Sequence, residues 1–414
     1  MSLLSQTRSV FALLFLTLLL AGSAGNIYSQ LPRFSRMLAA ESFTDVRKAG
    51  TELQQLAEEH VFGKYAAWEA HAAIQEALGK VEVNDFTVVK AENGRLYQGG
   101  MDPMGIDNAR LLAGVVADFT EAAEEKGMRV FYLNPPDSVL KNAPPQPPEL
   151  PYRDYNNASD ALLYTLRERG VPCLDARYSF IESGFPPAAI SPPTSLQLSG
   201  EAGFALFSYL VADLDRQFSL SLDPNHFYRN PDNYIWEEHH AFFMGELGKR
   251  SGPAFGGLDD YTTVTPVFET AFVYEATDMF NNVTSIEGEA EETLLNPDAL
   301  VYYDNLYRFY PQSYYRPTNT VRSRISNQRR PEGPRLLIVH DYYTAEVITL
   351  LAPLFAEIHT LAYQENFSVN ARDYIEENNF DHVLIAFSPE NLVNPRMQAL
   401  IGQTPEQVSD GFND

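Results

Sequence analysis

The residues best suited to chemistry stand where a run of aliphatics ends. "RLLIVHDYYTAEV" (Arg335 to Val347) delivers a His-Asp pair, His340 and Asp341, followed by Tyr342 and Tyr343. A second pair, Asp223 and His226 in "SLDPNHFYRNPDNY", has the Asp-x-x-His spacing that lets one turn present both side chains. An imidazole oriented by a carboxylate serves as a general base, and beside a hydroxyl it supports acyl transfer or ester hydrolysis. The hydroxyl at the end of the aliphatic run is a phenol, bulkier than serine and with an ordinary pKa of about 10, so it does not simply replace one. Asp223, His226, Tyr342 and Asp341 are therefore the catalytic candidates, and the assignment requires their two turns to face one cleft. The alternative for the first pair is a turn in which Asp223 caps backbone amides and His226 is half-buried.

Other clusters point to binding or to packing. "WEEHHAFF" (Trp236 to Phe243) sets Glu237, Glu238, His239 and His240 side by side. Adjacent histidines make a poor chelating pair, so no metal is expected. No cofactor is expected either, because no phosphate-cradling glycine-rich turn follows a strand. The run from Val301 to Pro317 is rich in tyrosine, including Tyr307, Tyr310, Tyr314 and Tyr315, with Arg308 and Arg316 interspersed. Aromatic faces stack on sugars, although such a run also packs a loop with its own rings. Arg322, Arg324, Arg329, Arg330 and Arg335 follow, a local reversal of sign in an acidic chain that suggests an anionic partner. Arg316 and Arg322, with His340 and Tyr343 flanking the turn, are the substrate-binding candidates.

The elements that must position these groups alternate. Helical patterns cover Asn108 to Lys126, Ala158 to Arg169 and Ser199 to Phe218, with apolar strands at Met128 to Leu133 and in "VPCLDA" between them. Later come strand Arg335 to Val339, helix Thr344 to Leu354, strand Glu357 to Ala362, helix Asn370 to Asn378 and strand His382 to Phe387. Such alternation implies a parallel sheet with right-handed crossovers, a three-layer α/β/α doubly wound fold. The stretch from about Ser221 to Pro331 has no clear period and reads as a long loop-rich insertion. Residues 26–80 read as a helical spacer, 81–400 as the main domain and 401–414 as a tail.

Composition removes some partners. A net charge of −25 excludes nucleic acid, whose phosphates such a surface repels. Arg8, the apolar run Val10 to Leu20 and the small residues of "AGSAG" have the layout of a secretory signal at 1–25, or of an inner-membrane anchor over 9–25. A single cysteine, Cys173, leaves no internal disulfide.

Several blocks, in order, resemble the SGNH-hydrolase-like domain of alginate and exopolysaccharide O-acetylation proteins of the AlgX/AlgJ type. They are "NGRLYQG" (Asn93 to Gly99), "KGMRVFYLNPPDSVL", "FFMGELGKRSG…GGLDDY" (Phe242 to Tyr261), "PRLLIVHDYYTAEVITLLAPLFAEIHTLAY" and "FDHVLIAFSPENL". The similarity spans roughly residues 85–395. It implies an exported, periplasmic or membrane-anchored protein acting beside a membrane-bound O-acyltransferase on an acidic exopolysaccharide. It also implies a serine, histidine and aspartate triad whose serine falls on Tyr342. The family's Asp-His motif falls either on Asp223 and His226 or on "SPPTSLQL" (Ser191 to Leu198), where neither acid nor imidazole stands. Catalysis altered or lost at Tyr342 and a non-catalytic, glycan-binding or scaffolding pseudoenzyme are the two functional expectations.

Overall fold

The computed structural model describes residues 63–402 except 101–104, 142–149, 279–281, 302–304 and 364–368, together with positions 24, 25 and 28. The expected signal or anchor and the tail thus fall almost wholly outside the described residues. Among the described residues no helix is long and apolar enough to cross a membrane. The chain divides into two compact units, Met1–Leu78 and Gly79–Asp414. In the first, the Ala- and Glu-rich segment Lys64–Ala77 is helical, as strong helix formers without proline dictate.

The second unit opens with an antiparallel meander, β1 (Glu82–Val83), β2 (Val88–Lys90) and β3 (Leu96–Gln98). The predicted Asn93-Gly94 turn joins its last two strands, with Gly94 at φ 83°. Helix α1 (Ile106–Glu125), strand β4 (Arg129–Asn134), helix α2 (Asn156–Glu168), strand β5 (Cys173–Asp175) and helix α3 (Gly200–Phe218) follow. Two-stranded β6 (Tyr234–Phe243) and β7 (Asp259–Pro266) come next, then β8 (Phe272–Thr277), β9 (Val283–Gly288) and β10 (Arg322–Asn327). The chain closes with β11 (Arg335–His340), α4 (Ala345–Leu351), β12 (Glu357–Ala362), α5 (Ala371–Glu377), β13 (His382–Ala386) and α6 (Arg396–Ile401).

Eight of these strands form one sheet in the order β5-β4-β13-β11-β12-β10-β8-β9. The first five are parallel and the last three antiparallel. Strand β11 shows why four aliphatics run in a row. Leu336 and Ile338 enter the core under α3 and α4, with Leu210 and Ile348. Leu337 and Val339 enter the core under α1, α2 and α5, with Phe119, Leu162 and Ile375. A strand covered on both faces needs apolar residues at every position. This is the expected three-layer arrangement.

Order reverses at β11. The chain crosses from β11 to β12 on one side, and its next strand, β13, lies on β11's other side. The two crossover helices cover opposite faces, so a crevice is left at the carboxyl ends of β11 and β13. Loops there are free to hold a site.

The middle stretch departs from its loop-rich reading. It contributes β8, β9 and β10 to the main sheet, as well as the β6–β7 hairpin. Strand β8 does alternate buried and open positions, but over only six residues. Strand β6 is exposed along much of both faces, so no apolar period marks it.

The arginine-rich segment is also spoken for. Arg324 and Arg335 converge on Glu357, at 2.7 and 2.5 Å, from the strands on either side of it. Arg329 pairs with Glu269, and the Arg330 guanidinium donates to the Leu222 carbonyl. Arg322 Nε reaches Thr277 Oγ1, and Arg316 Nε donates to the Leu295 carbonyl at 2.8 Å. The sign reversal in the sequence is thus matched largely within the fold.

Hydrogen bonds from Arg335 and Arg324 outweigh burial and hold the Glu357 carboxyl down at about 2. A carboxyl depressed on folding stabilises above its unfolded pKa and loses that contribution as pH falls through its folded one. Glu357→Gln is expected to cost about 2 kcal/mol at pH 7, after allowance for solvent screening of the half-exposed arginines. The deficit should shrink between pH 4.5 and about 2, as followed by urea unfolding. An equal deficit at pH 7 and pH 2.5 would refute the clamp.

Candidate functional site

The His-Asp-Tyr-Tyr turn sits at the carboxyl end of β11, in the crevice where strand order reverses. Asp341 is fully buried and ties two loops together. Its Oδ1 accepts the Tyr343 N–H at 3.0 Å, starting the turn. Its Oδ2 accepts the Ser388 N–H at 2.6 Å and the Asn391 side-chain amide at 2.9 Å, both on the loop after β13. The carboxyl is committed to two backbone amides and one side-chain amide, and among the described residues no histidine hydrogen-bonds to it.

His340 is fully buried, with its Nδ1 2.5 Å from the Asp341 carbonyl, so Nδ1 carries a proton and donates it. Nε2 is enclosed without a hydrogen-bond partner. Burial lowers the imidazole pKa, outweighing the pull of Asp341. His340 is thus a neutral core group and touches no solvent-borne ligand. Tyr343 is equally structural: its hydroxyl donates to the Pro136 carbonyl at 2.7 Å. The expected substrate-binding roles of both residues are corrected on this geometry.

Tyr342 alone of the four is half-buried at the site, and its hydroxyl donates to Glu390 Oε1. Burial, then the negative charges of Glu390 and Asp341, push the phenol pKa far up. Glu390 is itself raised, mainly by burial. Glu246 adds to the negative field on Tyr342, Tyr343 and Glu390. Among the described residues, no histidine is among the groups that hydrogen-bond to Tyr342 or bear on its charge.

Glu246 is in turn held by the segment 191–198. Ser195 Oγ and the Leu196 N–H both donate to Glu246 Oε2 at 3.1 Å. Thr194 donates from Oγ1 to Asp259 at 2.6 Å, and Gln197 donates to the Tyr310 hydroxyl. Gly245, just before Glu246, makes the approach possible, since a Cβ there would lie 2.4 Å from Ser195 Cα. Tyr310 stands under Lys249, whose ammonium is 5.1 Å from the ring centre. Burial raises Asp259 to about 6 and, on the neighbouring loop, Asp137 to about 7.

Asp223 and His226 lie elsewhere. Helix α3 ends at Phe218, whose ring stacks on His382, the first residue of β13. The Phe218 carbonyl accepts from Arg129, the first residue of β4, and that of Leu222 from Arg330, ahead of β11. This is the amino edge of the parallel strands, about 17 Å of strand away from Tyr342. Asp223 is buried against Arg229, 3.1 Å away, and accepts the N–H groups of Tyr228 and Arg229. His226 is exposed at φ 55°. The expectation of one shared cleft is therefore overturned: Asp223 stabilises its own turn, as in the capping alternative, although His226 is exposed rather than half-buried. Of the arginines, Arg322 stands at the carboxyl edge but two strands from β11, and Arg316 is held by the Leu295 carbonyl.

Glu390, Glu246 and Gln197 were not singled out from sequence, whereas Tyr310 lies in the tyrosine-rich run. The first two lie within "FSPENL" and "FMGELGK", blocks noted for resemblance but not for chemistry.

Removing Asp341 strands three N–H donors. Asp341→Ala should cost about 3 kcal/mol, whereas Asp341→Asn should recover part of this. Chemical unfolding measures both; a loss under 0.5 kcal/mol would show that the two loops hold without it. Asp137 titrates in the opposite sense to Glu357. A carboxyl raised to about 7 on folding costs stability increasingly as pH climbs from about 4 to about 7. Asp137→Asn should be near neutral at pH 4 and stabilising, by about 1–2 kcal/mol, at pH 8. A gain independent of pH would contradict the assignment.

Neither a family model nor a curated protein sequence matches the chain. Solved structures do. Bacillus cereus PatB1 with a sulfonyl adduct superposes with a TM-score of 0.61 at 13% identity, over 77% of this chain and 99% of that one. A DHHW family protein from Eubacterium siraeum gives 0.56 at 14%, over 76% and 93%. The O-acetyltransferase domain of Pseudomonas putida AlgJ gives 0.45 at 11%, over 78% and 97%, too loose a superposition to argue from. The chain shares the α/β fold of PatB1 and the DHHW protein at low sequence identity.

Proposed function

We propose that this protein is an exported SGNH-like member of a polysaccharide O-acetylation system, in which it binds glycan without acyl-transfer chemistry of its own. The process is suggested by the ordered sequence blocks, with the fold in agreement. Loss of chemistry is supported by one observation above the rest. The hydroxyl at the nucleophile position is a phenol held by Glu390 and served by no imidazole.

A nucleophile must shed its proton as it attacks, and negative neighbours oppose that. Tyr342 has a carboxyl as partner and Glu246 and Asp341 nearby, the reverse of an activating field. The stretch 191–198, which holds Glu246, has no acid and no histidine. In our reading the family's Asp-His motif belonged on this stretch.

The same groups suit recognition. Tyr342, Glu390, Glu246 and Tyr310 are half-buried carboxyl and phenol groups beside Lys249, a set that hydrogen-bonds sugar hydroxyls and stacks sugar faces. An acidic exopolysaccharide was the expectation from the arginine-rich segment, but those arginines are engaged internally. We therefore favour a hydroxyl-rich stretch of polymer over a run of uronates. A membrane-bound O-acyltransferase remains the proposed partner, with 9–25 as signal or anchor.

Two assays test this. The chain should hydrolyse p-nitrophenyl acetate no faster than buffer, and Tyr342→Ser alone should not change that, since no base accompanies the new hydroxyl. Saturable turnover that Tyr342→Phe abolishes would sink the proposal. In binding experiments, neutral oligosaccharides should be retained more tightly than oligouronates, and Tyr310→Ala should weaken them at least several-fold. Preference for oligouronates would restore the anionic partner.

A further inference from the structure

The β6–β7 hairpin carries a group that the candidate site does not use. Its register runs Glu238 opposite Thr262 and His239 opposite Tyr261, then breaks, resuming with Phe243 opposite Asp259. Three residues of β6 thus face only Asp260 of β7. Ala241, at φ 47°, donates its N–H to Asp260 Oδ1 at 2.7 Å, fixing that carboxylate against the bulge. Glu238 and His240, two residues apart on the strand, share a face. Together these constraints aim three ligand-type side chains at one point.

His240 Nδ1 lies 3.6 Å from Glu238 Oε1 and 3.6 Å from Asp260 Oδ2, and all three atoms fall within 4.8 Å of one another. Ligands about 2.1 Å from a tetrahedral zinc ion stand about 3.4 Å apart, so small rotations close the set. Neither carboxylate has a lysine or arginine ion pair among the described residues. The pairing of adjacent histidines that argued against a metal is not the one that forms. His239 turns away and stacks on Phe242, with ring centres 4.7 Å apart.

We propose that Glu238, His240 and Asp260 form a surface site for a divalent ion of the zinc type, with solvent completing its coordination. One imidazole with two carboxylates suits zinc and its transition-metal neighbours; magnesium and calcium prefer an all-oxygen shell. The site has a structural consequence. The connection after β6 supplies Glu246 and the start of β7 supplies Asp259, both in contact with 191–198, so an ion at the bulge would pin the end of the hairpin that presents them.

The test is equilibrium dialysis of the untagged full-length chain against zinc chloride at micromolar concentrations, with excess magnesium present. One zinc per chain is expected, with affinity falling at least tenfold in His240→Ala and in Asp260→Asn. His226→Ala, an exposed histidine at the other edge, should bind like the unaltered chain. All positions are on the surface, and circular dichroism verifies that each variant folds. No saturable uptake, or uptake that survives His240→Ala, overturns the site; so does displacement of zinc by magnesium.

Discussion

Everything at the carboxyl edge hangs on Asp341. One buried side chain accepts an N–H from its own turn and two donors from the loop after β13. Those bonds fix the end of β11 against residues 388–391, and so bring the Tyr342 phenol onto Glu390. In a serine-type triad the acid orients an imidazole. Here the acid beside Tyr342 accepts from two backbone amides and the Asn391 side chain, and the turn gains rigidity.

The electrostatics agree with that use. Tyr342, Glu390 and Asp137 are phenol and carboxyl groups whose environment disfavours their charged forms. Burial biases these groups towards their protonated forms, and protonated acids and phenols donate hydrogen bonds. Sugar hydroxyls accept and donate equally, so the proposed glycan site offers them such donors with Tyr310 and Lys249 alongside. The same surface is a poor place to generate an oxyanion, because nearby carboxyls would repel it.

Much of the fold was readable in the sequence because the parallel strands are covered on both faces. Leu336 to Val339 are aliphatic at every position, and the intervening helices repeat at a helical period. The β6–β10 region was not readable, since Glu237, Glu238, His239 and His240 occupy a hairpin with no core to impose a period. The site was half readable. The end of β11 was found by its aliphatic run, but spacing alone made Asp223 and His226 look like a catalytic pair. Arg229, only three residues after His226, is what commits Asp223 to its own turn, and the placement of α3 sends that turn to the opposite edge. Glu390 and Glu246 reach Tyr342 through tertiary packing that no local pattern records.

The protonation of Tyr342 decides between an idle and an active phenol. Labelling tyrosine at Cζ and following the Tyr342 carbon resonance from pH 6 to pH 11 reads it directly, with Tyr342→Phe to assign the signal. The shift should stay flat across that range, since burial and the neighbouring negative charges push this phenol far up. A transition below pH 9 would mean an activated phenolate, and the reading of this fold as a binding protein would have to be given up.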